Sequence, residues 1–387
     1  MREVVVLGIG MSQFGKQPEK GIRELGEEAL YNALIDAEID KKKIQIAFCG
    51  YVLGSLNGQE VCPGQIVLRE LGIGEIPVLR VENGCASASF AFKEAWRAVA
   101  SGEYDVAVGM GIEKMTGLGK GAILKAMGGG SDFELEGNLG LTFPGVFAMI
   151  ARRHMHEYGT TMKQLAMVAV KNRKNGSLNQ KSQFREVVTI EDIENAKMIA
   201  HPLTLNHCCP FSDGCAVAIL TTKEIARKYT TEPIFIASSV QKSGTYTDSL
   251  DITRFEPTIK ASAEAYKLAG IGPEDINLAE VHDCFTIAEI IHYEDLGFCK
   301  KGEGGMLIEN GATQIGGRIP VSTSGGLLSK GHPLGATGVA QIVEIVEQLR
   351  GKSGPRQVSN AKVGLAHCLG GFMHGDVCSC SVTILKK

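Results

Sequence analysis

The sequence predicts an α/β protein assembled from two related halves, and three observations predict it. Short apolar runs that read as buried strands alternate with small-residue, amphipathic helices along most of the 387 residues. Ala33, Ala37, Ile39, Ile44 and Ala47 recur with identical spacing as Ala265, Ala269, Ile271, Ile276 and Ala279. Each copy reads as helix, short loop and buried strand, and each is followed by a glycine-rich turn, another helix and another strand. Hydrophobic residues make up 44% of the chain, enough for large buried sheets, and the length is that at which one core gives way to subdomains.

Val4 to Gly8 reads as the first strand. The apolar run Ile76 to Val81 turns through Glu82-Asn83-Gly84 into a small-residue helix, Cys85 to Ala100, and Asp105 to Gly109 is again strand-like. Cys85 thus stands near a helix N-terminus, where the dipole and free N–H groups favour thiolate over thiol. Its small neighbours let a substrate carbonyl approach the backbone. From Met115 to Leu203 the alternation breaks. Gly117 to Gly130 is glycine-rich, and helices are expected over Pro144 to Tyr158 and Thr161 to Asn172. Arg152, Arg153, Lys171, Arg173 and Lys174 concentrate here and read as solvated helix faces, so no phosphate ligand is assigned. His207 to Gly214 returns the chain to the first half and reads as structural.

In the second half the strand Ile276 to Glu280 ends in Val281-His282-Asp283-Cys284-Phe285. A histidine and a cysteine at a strand's C-terminal end enter the cleft that α/β proteins use for ligands. Ser329 to Gly338 is a glycine-rich turn carrying His332 and opening a helix to about Leu349. A neutral imidazole there can take a thiol proton. Strand-like Lys362 to Leu365 leads into Ala366-His367-Cys368-Leu369-Gly370-Gly371, whose glycine N–H groups suit an oxyanion.

Together these segments resemble the thiolase superfamily over nearly the whole chain. The features are the turn Asn83 to Ala88, the segment Gly331 to Gly338 and the C-terminal cysteine-glycine loop. His282 to Phe285 points to the sterol-carrier-protein-2-type branch found in archaea and bacteria. The resemblance implies a five-layer αβαβα fold of two duplicated halves with a loop-domain insertion. The implied division is 1–114 plus 204–230, the insertion 115–203, and 231–387. It implies an acyl-thioester on Cys85, activation of Cys85 by His332, and His282 in an oxyanion hole. That hole, shared with His332, would bind the thioester oxygen of the second reactant, and the backbone N–H groups of Cys85 and of Gly370-Gly371 would stabilise the tetrahedral intermediate. Two thiols qualify as proton shuttle. Cys284 lies in an intact motif and is favoured; Cys368 lies in a loop where Phe372 replaces the family's third glycine.

The function implied is CoA-dependent cleavage of a 3-oxoacyl-CoA or the reverse Claisen condensation. The acyl group is open between an acetoacetyl-CoA-forming acetyl-CoA acetyltransferase and a bulky or aromatic, benzoylsuccinyl-CoA-type thiolase. A ketosynthase needs no second cysteine, a hydroxymethylglutaryl-CoA synthase needs a carboxylate acid-base, and a non-catalytic acyl-binding subunit needs neither. Coenzyme A is expected as co-substrate, with no bound cofactor and no metal, since the cysteines lack zinc spacing. A homodimer and a separate zinc-ribbon and OB-fold partner are expected. A net charge of −3 gives no basic excess for nucleic acid or anionic membrane. Eleven cysteines, an odd number in a large chain whose first strand begins at once, point to free thiols in a reducing cytosol.

Overall fold

The computed structural model describes residues 2–229, 232–245 and 251–387. The strands of the main sheet are β1 (Val4–Met11), β2 (Ile46–Gly50), β3 (Val78–Val81), β4 (Val106–Glu113) and β5 (Gly214–Thr222) in the first half. The second half supplies β6 (Ile234–Ser243), β7 (Leu278–Glu280), β8 (Val363–Met373) and β9 (Asp376–Lys386). The helices that position the site are α1 (Ile22–Ala37), α2 (Pro63–Glu70), α3 (Ser87–Ser101), α4 (Lys120–Gly128), α5 (Phe143–Tyr158) and α6 (Met162–Ser177). They continue with α7 (Glu256–Ala269), α8 (Thr286–Asp295), the single turn α9 (Gly326–Ser329) and α10 (Thr337–Leu349).

The strand order is β3-β2-β4-β5-β1-β6-β9-β8-β7. The halves mirror each other: β2 lies parallel to β4 as β7 does to β8, and β4-β5-β1 and β8-β9-β6 are both antiparallel runs. The second half even keeps a counterpart of β3, since Val321 bridges Ala279 in parallel. The repeat seen in the sequence is therefore a repeat of topology. The sheets of the two halves join edge to edge at Val5 opposite Phe235 and Val6 opposite Ile234.

Three apolar clusters define the layers. One packs α1 and α2 on the outer face of the first sheet. A second fills the space between the sheets with α3 and α10. A third packs α7 and α8, with α5 from the insertion, on the far face of the second sheet. The result is αβαβα.

Small residues let the central helices meet. A Cβ added at Gly338 would lie 2.0 Å from Ser89 Oγ, and one at Gly50 would lie 2.7 Å from Ala88 N. No larger residue fits where α10 crosses α3. Because the two helices start side by side, the turns that precede them, with Cys85 and His332, open at the same end of the molecule. Among the described residues no helix is long and apolar enough to cross a membrane.

Two expectations need correction. The segment Cys368 to Gly371 is not a turn after a strand but part of β8, with Gly370 opposite Ser379 and Phe372 opposite Val377 on β9. The second insertion helix runs to Ser177 rather than Asn172. Its polar residues Lys171, Asn172 and Asn175 are buried rather than solvated, because they satisfy groups of the second half.

Candidate active site

The turn Asn83 to Ala86 presents Cys85 ahead of α3. Ser87 Oγ ties it down, accepting from Asn83 N at 2.9 Å and donating to Gly84 O at 2.6 Å. Glycine at 84 adopts φ +53°, which side chains resist. Strand β8 runs directly beneath: a Cβ at Gly370 would lie 1.9 Å from Asn83 O. Gly370 is thus the condition for nucleophile turn and strand to touch.

Cys85, His282 and His332 converge from three segments. A donor atom of each lies within 4.8 Å of those of the other two. The two imidazoles meet edge to face, with centroids 5.2 Å apart. Among the described residues this is the group whose donors are close enough to share a metal ion, and its atoms are also those that acyl transfer requires.

His332 is oriented at both ends. Its backbone N–H donates to Ser212 Oγ at 3.0 Å, and that hydroxyl donates to Gln183 Oε1 at 2.5 Å. Its Nδ1 lies 2.7 Å from Thr337 Oγ1, which gives its own proton to Pro333 O at 2.9 Å. A hydroxyl has one proton, so Thr337 accepts from Nδ1–H. The proton is thereby fixed on Nδ1, and Nε2 keeps its lone pair. Burial holds His332 well below the usual histidine range and takes His282 down to about 3, so both rings are neutral.

The thiol departs from expectation. Burial, reinforced by the Glu113 carboxylate, pushes Cys85 up to about 12. The helix dipole does not offset desolvation here, and the resting pair is neutral thiol with neutral imidazole. Cys85 packs in an apolar cluster with Met115, Ile123, Met127 and Leu334, which accounts for the cost of charge.

Both shuttle candidates are at the site. Cys368 Sγ lies 3.5 Å from His282 Nδ1 and donates to Cys85 O at 3.3 Å. Cys284 immediately precedes α8, its sulfur accepts from Phe285 N–H, and its carbonyl accepts from Cys209 N at 3.0 Å. Burial raises both thiols well above the ordinary value, and the charge of Cys85 contributes to each.

Several residues that hold this arrangement escaped the sequence reading in whole or part. Asp283 accepts from Leu327 N at 2.7 Å and Leu328 N at 3.3 Å, tying the His282–Cys284 loop to α9 and so to the His332 turn. Asn172 Nδ2 bridges Asp283 and Glu289 at 2.7 Å each, and Lys171 pairs with Glu289 at 2.5 Å. Burial and the Glu289 charge push Asp283 up to about 8. Glu113, at the end of β4, is fully buried and accepts from Val52, Leu53 and Gly335 N–H at 3.2, 3.0 and 2.9 Å. Thr337 and Ser212 fix His332 as described. Of the basic residues in the insertion, Lys171 is internal and paired with Glu289, and Arg173 stacks 3.9 Å over the Phe184 ring.

Comparison with known proteins agrees with this geometry. Residues 4–224 match the family model for the thiolase N-terminal domain, and residues 238–387 match the model for the thiolase C-terminal domain-like family. The chain is 44% identical to the acetyl-CoA acetyltransferase of Methanothermobacter thermautotrophicus over 373 residues, 96% of this chain and 97% of that protein. It is 38% identical to the benzoylsuccinyl-CoA thiolase subunit BbsB of Thauera aromatica, over 96% of this chain and 95% of that one. It is 36% identical to bovine (Bos taurus) sterol carrier protein 2, over 95% of this chain and 70% of that one. A solved structure titled Ltp2-ChsH2(DUF35) aldolase superimposes with a TM-score of 0.83 at 29% identity, covering 99% of this chain and 97% of that one. With both halves matched and the fold shared, the chain belongs to the thiolase family.

Proposed function

We propose that the protein cleaves 3-oxoacyl-CoA with CoA, or runs the reverse condensation, through an acyl group carried on Cys85. The observation that carries this reading is the convergence of Cys85, His282 and His332 within 4.8 Å, with Thr337 holding the His332 lone pair free.

In cleavage, Nε2 of His332 takes the Cys85 proton as the sulfur attacks the 3-keto carbon. Transfer must accompany attack, because a free thiolate is scarce in this buried setting. The oxyanion of the tetrahedral intermediate is met by backbone N–H groups of Cys85 and Gly370-Gly371, and the thioester oxygen of the departing enolate by His332 and a water held by His282, donors worth roughly 3 kcal/mol each when preorganised. The C2–C3 bond then breaks and its electron pair forms the enolate of the shorter acyl-CoA. Cys284 protonates C2, leaving its own thiolate. That thiolate takes the proton of incoming CoA, the CoA sulfur attacks the thioester on Cys85, and the departing Cys85 thiolate recovers its proton from His332. Protons balance over the cycle.

Cys284 is assigned this shuttle role because it stands just ahead of α8 with the Phe285 N–H on its sulfur, whereas Cys368, also buried, is already engaged with His282 and the Cys85 carbonyl. We also propose a cytoplasmic homodimer and the division into 1–114 plus 204–230, 115–203 and 231–387; the boundary at 230 and 231 lies outside the described residues. A separate zinc-ribbon and OB-fold partner fits two facts: one relative is named as a subunit, and the superimposed structure is titled with a second component.

CoA-dependent cleavage of acetoacetyl-CoA, measured beside Cys85→Ser, tests the reading. Cleavage lost in the variant supports it. Carbon–carbon cleavage that needs no CoA would replace it with an aldol-type reaction.

A further inference from the structure

A mainly apolar pocket of about 40 Å³ lies beside the apolar cluster that holds Cys85. Its walls are Leu124 and Met127 of α4, Phe143 and Val146 at the start of α5, and Phe372 of β8. Met127 also packs in the cluster that contains Cys85, so the cavity shares a wall with the thiol's surroundings. Phe372 directly follows Gly370-Gly371, and its N–H donates to Gly130 O at 2.8 Å, which fixes β8 against the end of α4. The Phe372 ring lies 6.4 Å from that of Phe147, and Phe147 stacks on Phe285 at 4.5 Å, beside Cys284. The cavity is thus linked to the Cys85 turn through Met127 and to Cys284 through Phe372, Phe147 and Phe285.

Its size decides what fits. A cavity that binds benzene measures about 150 Å³, and a single water needs roughly 10–15 Å³. As its walls stand, this half-open pocket encloses room for a short aliphatic group and not for a whole aromatic ring. The bulk that closes it includes a phenyl ring at 372, where a glycine would leave the space open.

We propose that Phe372 limits the acyl group carried on Cys85 to short, compact aliphatic chains and excludes aryl groups. The inference rests on Cys85 being the acylated residue. It separates this chain from a relative named for benzoylsuccinyl-CoA, and it concerns the acyl half of the substrate, which a test of carbon–carbon cleavage does not isolate.

Acylation of Cys85 by acetyl-CoA, hexanoyl-CoA and benzoyl-CoA, followed by intact-mass spectrometry, reads it directly. The wild-type protein is expected to take acetyl at least about 10²-fold faster than benzoyl. Phe372→Ala is expected to raise benzoyl transfer roughly tenfold or more while acetyl transfer changes little. Phe143→Ala, on the facing wall, gives a second opening should Phe372→Ala fold poorly. Equal acetyl and benzoyl transfer in the wild type, or an unchanged ratio in both variants, would overturn the inference. Acylation by none of the three esters would instead overturn the role of Cys85, and this inference with it.

Discussion

Cys284 and Cys368 are two thiols at one site, presented by different structures. Cys284 ends a loop ahead of α8, buried and with the Phe285 N–H on its sulfur. Cys368 lies inside β8, where His282 Nδ1, the Cys85 carbonyl and the Ser89 hydroxyl surround it. The Phe285 N–H favours charge on the Cys284 sulfur, while burial still holds that thiol well above its ordinary value. A thiol locked in a strand by three polar neighbours is better placed to hold others still. Cys284 is accordingly the proton carrier in our account, and Cys368 the residue that orients His282 against the nucleophile turn.

The comparison has meaning only if Cys85 carries the acyl group, so the largest effect is there. Cys85→Ala should lower kcat by on the order of 10⁵ to 10⁶, the scale for removal of a covalent nucleophile, in a steady-state cleavage assay. The next effect divides the two thiols. Cys284→Ala should lower cleavage by roughly 10² to 10⁴, while Cys368→Ala stays within about tenfold. The opposite order would exchange their roles.

A smaller effect concerns His332, the base that acts on Cys85. Thr337→Val leaves the buried Nδ1–H of His332 without an acceptor, a loss of about 1–3 kcal/mol. Stopped-flow acylation should slow by roughly 10 to 100-fold, with the carbon–carbon step affected only through acylation. The smallest effect is in pH dependence. Since burial pushes the Cys85 thiol up to about 12, its thiolate fraction grows as pH rises. Alkylation by iodoacetamide should therefore keep rising through pH 8 to 10. A plateau reached near pH 6 would mean a resting thiolate–imidazolium pair, contrary to the neutral pair described above.

The residues to which we assign the chemistry were legible in the sequence because their motifs are short and local: Cys85 before a small-residue helix, His332 in a glycine-rich turn, His282 and Cys284 at a strand end. Their supports were less legible. Glu113 acts on Val52, Leu53 and Gly335, three N–H groups that only the folded chain brings to one point. Asp283 stood in view inside its motif, but its partners on α9 and α6 did not. Helix α6 was read short because hydrophobicity marks buried apolar faces, and the buried face here carries Lys171, Asn172 and Asn175. The helix dipole misled at Cys85, where desolvation by the surrounding apolar side chains is the larger effect.

The central claim is that Cys85 carries the acyl group and Cys284 moves the α-proton. Deuterium uptake from D₂O into the methyl group of acetyl-CoA, with the acetyl adduct on Cys85 followed by intact mass, tests both parts at once. Cys284→Ala should still form the adduct and should fail to exchange the α-protons, while Cys368→Ala should do both. Exchange that persists in Cys284→Ala and disappears in Cys368→Ala would contradict the account.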